Sequence, residues 1–210
     1  RDLHYPLRRQ RQMCIRDRLE AGATVVVSLA AEDWEDYVGL LEAADRDDVR
    51  TVEINLSCPN VERGGMAVGA DPALVERYVK EARKRLGGAA VIAKLTPNAA
   101  DISLLAKAAE QAGADAVTAI NTVLGMDIET ESGRPVFRRV SAGLSGPAIL
   151  PVALDAVYRI ARAVSIPVIG VGGISSVEDA RKFFAAGARA LQVGTAIFYD
   201  HGLPERIVES

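Results

Sequence analysis

The amino-acid sequence predicts an α/β fold, an incomplete (β/α)8 TIM barrel with about six βα units present and the first two missing. From residue 22 onward, short β-branched runs alternate with amphipathic stretches, a pattern typical of parallel strands covered by helices. The composition agrees, because 49% of the residues are hydrophobic, only 5% are aromatic, and 18 glycines are spread along the chain. A doubly wound open sheet is the structural alternative, but no GxGxxG motif follows the first strand.

Each βα unit is predicted from an apolar run and the helical pattern that follows it. Strands are expected at residues 23–30, 51–56, 90–95, 116–121, 167–173 and 190–194. Helices are expected at residues 33–45, 72–86, 102–113, 148–164 and 176–187. Asp71 and Pro72 form a start signal for the second helix. A glycine-rich loop is expected before that helix, and a long polar excursion is expected between about residue 121 and Ser145.

Residues 1–18 differ in composition from the rest of the chain. They are rich in arginine and nearly free of periodic apolar residues, and the run RQRQMCIRDR resembles translated sequencing-adapter segments. We therefore predict a non-native segment at residues 1–18 and a partial barrel domain at residues 19–210. A basic arm that binds an anionic partner is the alternative interpretation.

Charge and cysteine content exclude several classes of protein. The net charge of −3 gives no reason to expect a nucleic-acid or membrane-surface partner. Two cysteines do not make a disulfide framework. No apolar run approaches the roughly 20 residues of a membrane span. We expect a soluble, cytoplasmic protein without a metal site.

The second predicted strand leads into an unusual cluster, Asn55-Leu56-Ser57-Cys58-Pro59-Asn60. Chemistry in parallel barrels lies at the carboxyl ends of the strands. A thiol at this position predicts a base or nucleophile, and the two asparagines predict amides that orient a polar ligand. A small buried thiol with turn-forming asparagines is the alternative.

The next two strands also end in polar residues. Lys94 lies in an apolar run, where its ammonium group needs an anion or an electron-rich ring to offset desolvation. A lysine that reaches the surface is the alternative. The fourth strand ends in Ile120-Asn121-Thr122, which adds hydrogen-bonding groups at the same edge.

The last two strands end in glycines. Gly172 and Gly173 precede a predicted helix, and Gly194 and Thr195 precede a shorter one. Backbone N–H groups at such positions can surround a phosphate, with help from the helix N-terminus. Tight turns without a ligand are the alternative.

The chain resembles the class 1 dihydroorotate dehydrogenases over residues 51–209, and subclass 1B in particular. The resemblance is carried by the phrases VEINLSCPNVERGG, AKLTPN, INTVLGMDIETESGRPVF, AGLSGPAILPVAL, IPVIGVGGISS and ALQVGTA. It implies flavin-dependent oxidation of dihydroorotate to orotate in pyrimidine biosynthesis, with FMN bound in the barrel. It also implies a homodimer, or a heterotetramer in which FAD and an iron–sulfur cluster lie only on the partner subunit.

The resemblance also implies residue roles. Cys58 would be the base that removes a proton from C5 of dihydroorotate while hydride leaves C6 for FMN. The substrate would be held by Asn55, Asn60, Asn121 and Thr122. FMN would be held by Asn55, Lys94, Ile120, Gly146, Gly172, Gly173, Gly194 and Thr195.

Departures from the family pattern leave other functions open. The first two units should supply another lysine, a glycine-rich flavin loop and further asparagines, and Ser28 stands where members often carry Asn. We expect the chain alone to be poorly soluble and inactive. The alternatives are a dihydropyrimidine dehydrogenase flavin domain, which typically carries His in place of Asn60, a phosphate-binding barrel lyase or synthase, and a bare FMN-binding module.

Overall fold

The computed structural model describes Arg18, residues 21–56 and residues 65–210. The strands are β1 (Val27–Leu29), β2 (Thr51–Asn55), β3 (Ala90–Lys94), β4 (Ala116–Ala119), β5 (Val123–Gly125), β6 (Ala142–Leu144), β7 (Val168–Val171) and β8 (Ala190–Gln192). The α-helices are α1 (Trp34–Ala44), α2 (Gly65–Ala70), α3 (Pro72–Arg85), α4 (Ile102–Gln111), α5 (Leu150–Ile160), α6 (Val177–Ala186) and α7 (Leu203–Glu209). Short 3-10 helices cover Pro147–Ile149 and Thr195–Phe198.

Within these residues, the main sheet has six strands in the order β1-β2-β3-β4-β7-β8. Every neighbouring pair is parallel. The order never reverses along the sheet, whereas a doubly wound sheet reverses its strand order at a switch point. The prediction of six βα units in a partial barrel is therefore confirmed, and the doubly wound alternative is wrong.

Helices pack on the sheet through fully buried side chains. Leu41 of α1, Val79 of α3, Leu105 of α4, Val157 of α5 and Phe183 of α6 have no exposed surface. Their burial beside apolar strands explains the alternation seen in the sequence. No helix in the described ranges is long and apolar enough to cross a membrane.

Several local predictions differ from the structure. The segment expected as a polar excursion contains an antiparallel pair, β5 with β6, and the expected glycine-rich loop includes helix α2. Helix α2 lies against the chain that follows β2, since a Cβ added at Gly69 would be 2.6 Å from the Leu56 carbonyl oxygen. Strand β1 is shorter than the run at 23–30 because its ladder with β2 extends over three residues.

The amino end of α6 is held by a compact hydrogen-bond cluster. Ser176 caps the helix by accepting a hydrogen bond from the Asp179 N–H at 3.1 Å. The Asp179 carboxylate accepts hydrogen bonds from the N–H and hydroxyl groups of Ser175 at 3.2 and 2.9 Å. Burial raises the pKa of Asp179, but hydrogen bonds involving Ser175, Ser176 and Lys182 together outweigh burial and leave that pKa below its usual range.

We expect Asp179→Asn to lower the free energy of unfolding at pH 7 by about 1–2 kcal/mol. A depressed carboxyl pKa stabilises the folded state above the unfolded value of about 3.9, and this contribution disappears as the pH falls through the folded value. The variant should therefore lose less stability than the parent below about pH 4. Urea unfolding at several pH values measures both effects.

The exposed Glu178 lies in the same helical turn. Glu178→Gln therefore serves as the control and should leave the acid dependence nearly unchanged. An equal effect of the two substitutions would mean that the helix dipole, and not the Ser175 contacts, stabilises the Asp179 carboxylate.

Candidate functional site

The carboxyl ends of β3, β4, β7 and β8 surround a cavity of about 150 Å³. Parallel strands place the loops that follow them at the same end of a barrel. The cavity is lined by most of the site residues expected from the sequence, namely Lys94, Ile120, Asn121, Thr122, Gly146, Gly172, Gly173, Gly194 and Thr195. The structure thus brings residues from distant parts of the chain to one place.

The loop after β7 requires glycine at two successive positions. Gly172 and Gly173 have φ angles of +130° and +78°. A Cβ added at Gly173 would lie 2.7 Å from the Leu150 nitrogen, and one added at Gly172 would lie 2.9 Å from the Ala153 Cβ. The loop therefore packs directly against the start of α5, which places its backbone at the cavity wall.

The loop after β8 faces the segment that precedes α5. Thr195 donates a hydrogen bond from its hydroxyl to the Ser145 hydroxyl at 3.0 Å, and a Cβ added at Gly146 would lie 3.5 Å from the Thr195 methyl group. In the described chain, no backbone–backbone hydrogen bond outside the regular elements uses the N–H groups of Gly172, Gly173, Gly194 or Thr195. These four residues line one cavity, and backbone N–H groups clustered in this way suit an anion.

Amide side chains fix the geometry beyond β2 and β4. Asn121 donates from Nδ2 to Asn55 Oδ1 at 2.9 Å and accepts at Oδ1 from the Thr122 N–H at 2.8 Å. Asn98 donates to the Thr122 carbonyl at 3.1 Å and accepts from the Leu124 N–H at 3.0 Å. Both ends of the Asn121 and Asn98 amides are engaged, so their orientations are defined.

A buried carboxylate lies beneath the cavity and was not predicted. Glu53 of β2 has a side chain that is 4% exposed, and its Oε1 lies 3.5 Å from Lys94 Nζ. Its Oε2 accepts hydrogen bonds from Thr118 Oγ1 at 2.8 Å and Gln192 Nε2 at 2.7 Å. Ser28 donates to Oε1 at 3.3 Å. The carboxylate therefore joins side chains from β1, β3, β4 and β8.

Lys94 does not extend to the surface, since its side chain is 19% exposed. It donates to Gln192 Oε1 at 3.3 Å and lies beside Glu53 at the cavity wall. Glu53 therefore supplies an anion beside this lysine, and the role of the lysine toward FMN stays a prediction. The signal for Glu53 was the same as the signal for Lys94, a charged residue inside an apolar strand, and it could have been found by that argument.

Two predicted site residues, Cys58 and Asn60, lie outside the described residues. The same holds for residues 1–17, which form nearly all of the segment predicted to be non-native, and for Cys14 within it. Their roles remain predictions from the sequence.

The amino-acid sequence matches a known protein family. A sequence model described as dihydroorotate dehydrogenase matches residues 7–210, nearly the whole chain. This chain belongs to the dihydroorotate dehydrogenase family. The resemblance stated from the sequence phrases is thereby confirmed.

Individual relatives agree with the family match. The chain is 50% identical over 185 residues, or 88% of its length, to "Dihydroorotate dehydrogenase B (NAD(+)), catalytic subunit" of Thermoanaerobacter sp. strain X514. It is 45% identical over 177 residues, or 84% of its length, to "Dihydroorotate dehydrogenase A (fumarate)" of Limosilactobacillus reuteri strain DSM 20016. The chain spans 61% and 58% of the length of these two relatives.

The fold also matches a solved structure. A dihydroorotate dehydrogenase from Eimeria tenella, crystallised with ferulenol, superposes with a TM-score of 0.69 at 22% identity. The match covers 83% of this chain and 52% of that chain. At this level of identity the likeness supports the barrel-type fold.

We expect Gly173→Ala to lower the free energy of unfolding by about 2–4 kcal/mol, because a side chain would be strained at this φ and would collide with α5. Urea unfolding measures the loss. Gly39→Ala is the matched control, since Gly39 lies in α1 with nothing within 4 Å of an added Cβ. It should raise the free energy of unfolding by up to about 1 kcal/mol. Equal tolerance of both changes would contradict the close packing of the loop.

Proposed function

We propose that this chain is the catalytic portion of a flavin-dependent dihydroorotate dehydrogenase that oxidises dihydroorotate to orotate. The observation that carries the proposal is that Lys94, Asn121 and two glycine loops meet at one cavity. Family membership and 50% identity to a B-type catalytic subunit support the same reaction. In this proposal the protein contributes to pyrimidine biosynthesis in the cytoplasm.

The residues at the cavity fit FMN. The N–H groups of Gly172, Gly173, Gly194 and Thr195 would hold its phosphate, because these four residues line the same cavity and follow the last two strands of the sheet. Lys94 and Asn55 would lie beside the flavin ring, and Ile120 and Gly146 would offer backbone contacts. When bound, FMN supplies the acceptor for the hydride that leaves the substrate.

The remaining polar residues would bind and orient the substrate. Asn55 and Asn121 are already joined by a hydrogen bond of 2.9 Å, so their amides would present a fixed set of donors and acceptors to a flat ring. Thr122 and Asn60 would complete the contacts to the orotate ring and its carboxylate. Asn60 favours dihydroorotate over dihydropyrimidine substrates, since the related dihydropyrimidine dehydrogenases typically carry His at that position.

Cys58 would remove the proton from C5 of the substrate. A free thiol is mostly protonated at neutral pH. Activity is therefore expected to rise with pH as the thiolate forms, unless neighbouring groups stabilise the thiolate. This role is proposed from the sequence cluster around Cys58.

The electron acceptor is proposed from similarity. The higher identity to a protein named as an NAD(+)-type catalytic subunit favours a partner subunit, on which FAD and an iron–sulfur cluster would pass electrons to NAD. The relative named for fumarate is 45% identical, so a homodimer that reduces fumarate is the second candidate. Assay of the purified protein with fumarate, in the absence of any partner, distinguishes the two.

The first experiment is an anaerobic titration of the full gene product of the locus that encodes this chain. We expect a yellow protein whose visible flavin band bleaches when dihydroorotate is added. Cys58→Ala should keep its colour but bleach at least about 100-fold more slowly, because a general base typically contributes that much to rate or more. Ser165→Ala is the control, because it removes an exposed hydroxyl group from a residue that does not line the cavity, and it should bleach like the parent.

Other outcomes would redirect the proposal. Bleaching by dihydrouracil alone would move the chain to the dihydropyrimidine group. A colourless protein would refute the flavin proposal and leave a phosphate-binding barrel, for which a lyase or synthase activity would be the next assay.

A further inference from the structure

We infer that Glu53 is a positioning residue that holds the Lys94 ammonium group at the cavity wall and thereby controls the redox behaviour of the flavin bound there. The inference rests on the proposed function in one respect, that Lys94 contacts the flavin. The carboxylate itself does not line the cavity, whereas Lys94 and Gln192 do. Glu53 would therefore act through Lys94.

The geometry gives the carboxylate little freedom. Glu53 as a whole residue is 3% exposed. Its carboxylate accepts hydrogen bonds from Thr118 and Gln192 on one oxygen and from Ser28 on the other. The oxygen that accepts from Ser28 also lies 3.5 Å from Lys94 Nζ. A carboxylate fixed by three strands offers a stationary attachment point for a flexible lysine.

Gln192 links the two charged groups and defines its own orientation. Its Nε2 can only donate, and it faces Glu53 Oε2 at 2.7 Å. Its Oε1 can only accept, and it faces Lys94 Nζ at 3.3 Å. The reverse orientation would set a donor against the ammonium group and an acceptor against the carboxylate. The Gln192 amide therefore gives Lys94 a second hydrogen-bond partner, and the orientation of that amide depends on Glu53.

Burial makes the pair mutually dependent. A carboxylate or ammonium removed from water is strongly destabilised unless it has a partner, and deleting one member leaves the other uncompensated. Without Glu53, the Lys94 side chain would lose its buried counter-charge and turn toward water at the cavity mouth, as lysines with flexible stems do. The positive charge would then be absent from the place where negative charge develops on a reduced flavin.

Two mechanisms predict opposite signs for Glu53→Gln. If Glu53 positions Lys94, the substitution withdraws the positive charge and lowers the flavin reduction potential, in the same direction as Lys94→Met. If Glu53 acts only through its own negative charge, its removal stabilises the reduced flavin and raises the potential. The direction of the change therefore decides between the two.

The experiment uses the full gene product of the locus that encodes this chain as the parent protein. It measures the midpoint potential of bound FMN in the parent, in Glu53→Gln, in Lys94→Met and in the double variant. We expect Lys94→Met to weaken the binding of reduced FMN about tenfold relative to the binding of oxidised FMN. This change lowers the midpoint potential by about 30 mV for a two-electron couple. Glu53→Gln should give at least half of that decrease. The double variant should equal Lys94→Met alone, because the two residues act as one unit.

Glu110→Gln is the control. Glu110 is also a hydrogen-bonded carboxylate, accepting from the Ser165 and Ile166 N–H groups at 2.7 and 3.2 Å, but it does not border the cavity. Its substitution should leave the potential unchanged. A rise or no change in potential for Glu53→Gln, or additive effects in the double variant, would overturn the inference.

Folding and cofactor failure are separated by a second measurement. If Glu53→Gln does not fold but the double variant does, the result supports the dependence of Lys94 on Glu53. If neither variant folds, the inference is overturned. If the parent binds no FMN, the proposed function fails. The same four proteins are then compared by urea unfolding without flavin, where non-additive losses support the Glu53–Lys94 pair and additive losses overturn it.

Discussion

Parallel pairing of neighbouring strands directs every strand of the main sheet toward the same edge, and this constraint creates the site. Glu53 and Gln192 are 139 positions apart in the chain, yet their side chains hydrogen-bond at 2.7 Å. Nothing local in either segment produces that contact. It follows from the unbroken strand order, which brings the two residues into the same interior.

The same constraint explains which parts of the site could be predicted. A charged residue in an apolar strand and glycines after late strands are local signals, so the position of Lys94, Gly172 and Gly173 at the cavity could be predicted from the sequence. Glu53 carries the first of these signals as well, since it is a charged residue inside the apolar strand β2. The contacts of Gln192 depend on side-chain orientation across the interior, and sequence patterns do not contain that information.

Strands β5 and β6 and helix α2 were not predicted from the sequence, and the reason is the same for all three. Strands β5 and β6 contain Gly125 and Gly143 and are three residues long, so they lack the β-branched enrichment by which strands are recognised. The two strands also leave no room for a side chain at one position, as a Cβ added at Gly143 would collide with the Thr122 side chain. Helix α2 is similarly rich in small residues. In both cases close approach to a neighbouring segment, and not local propensity, selects the conformation.

A polar interior is stable only when each member has a partner, and the described residues that are not exposed include no buried side-chain nitrogen or oxygen without one. Such a network permits few alternative arrangements. The Gln192 amide has one orientation that satisfies both Glu53 and Lys94, and Ser28 contributes a short hydroxyl on the oxygen that faces the lysine. The Asn that family members often carry at the position of Ser28 has a longer side chain and a second polar atom, so it would require a different arrangement around this carboxylate. The polar groups at the cavity wall are therefore oriented by strand residues beneath the cavity as well as by the loops that surround it.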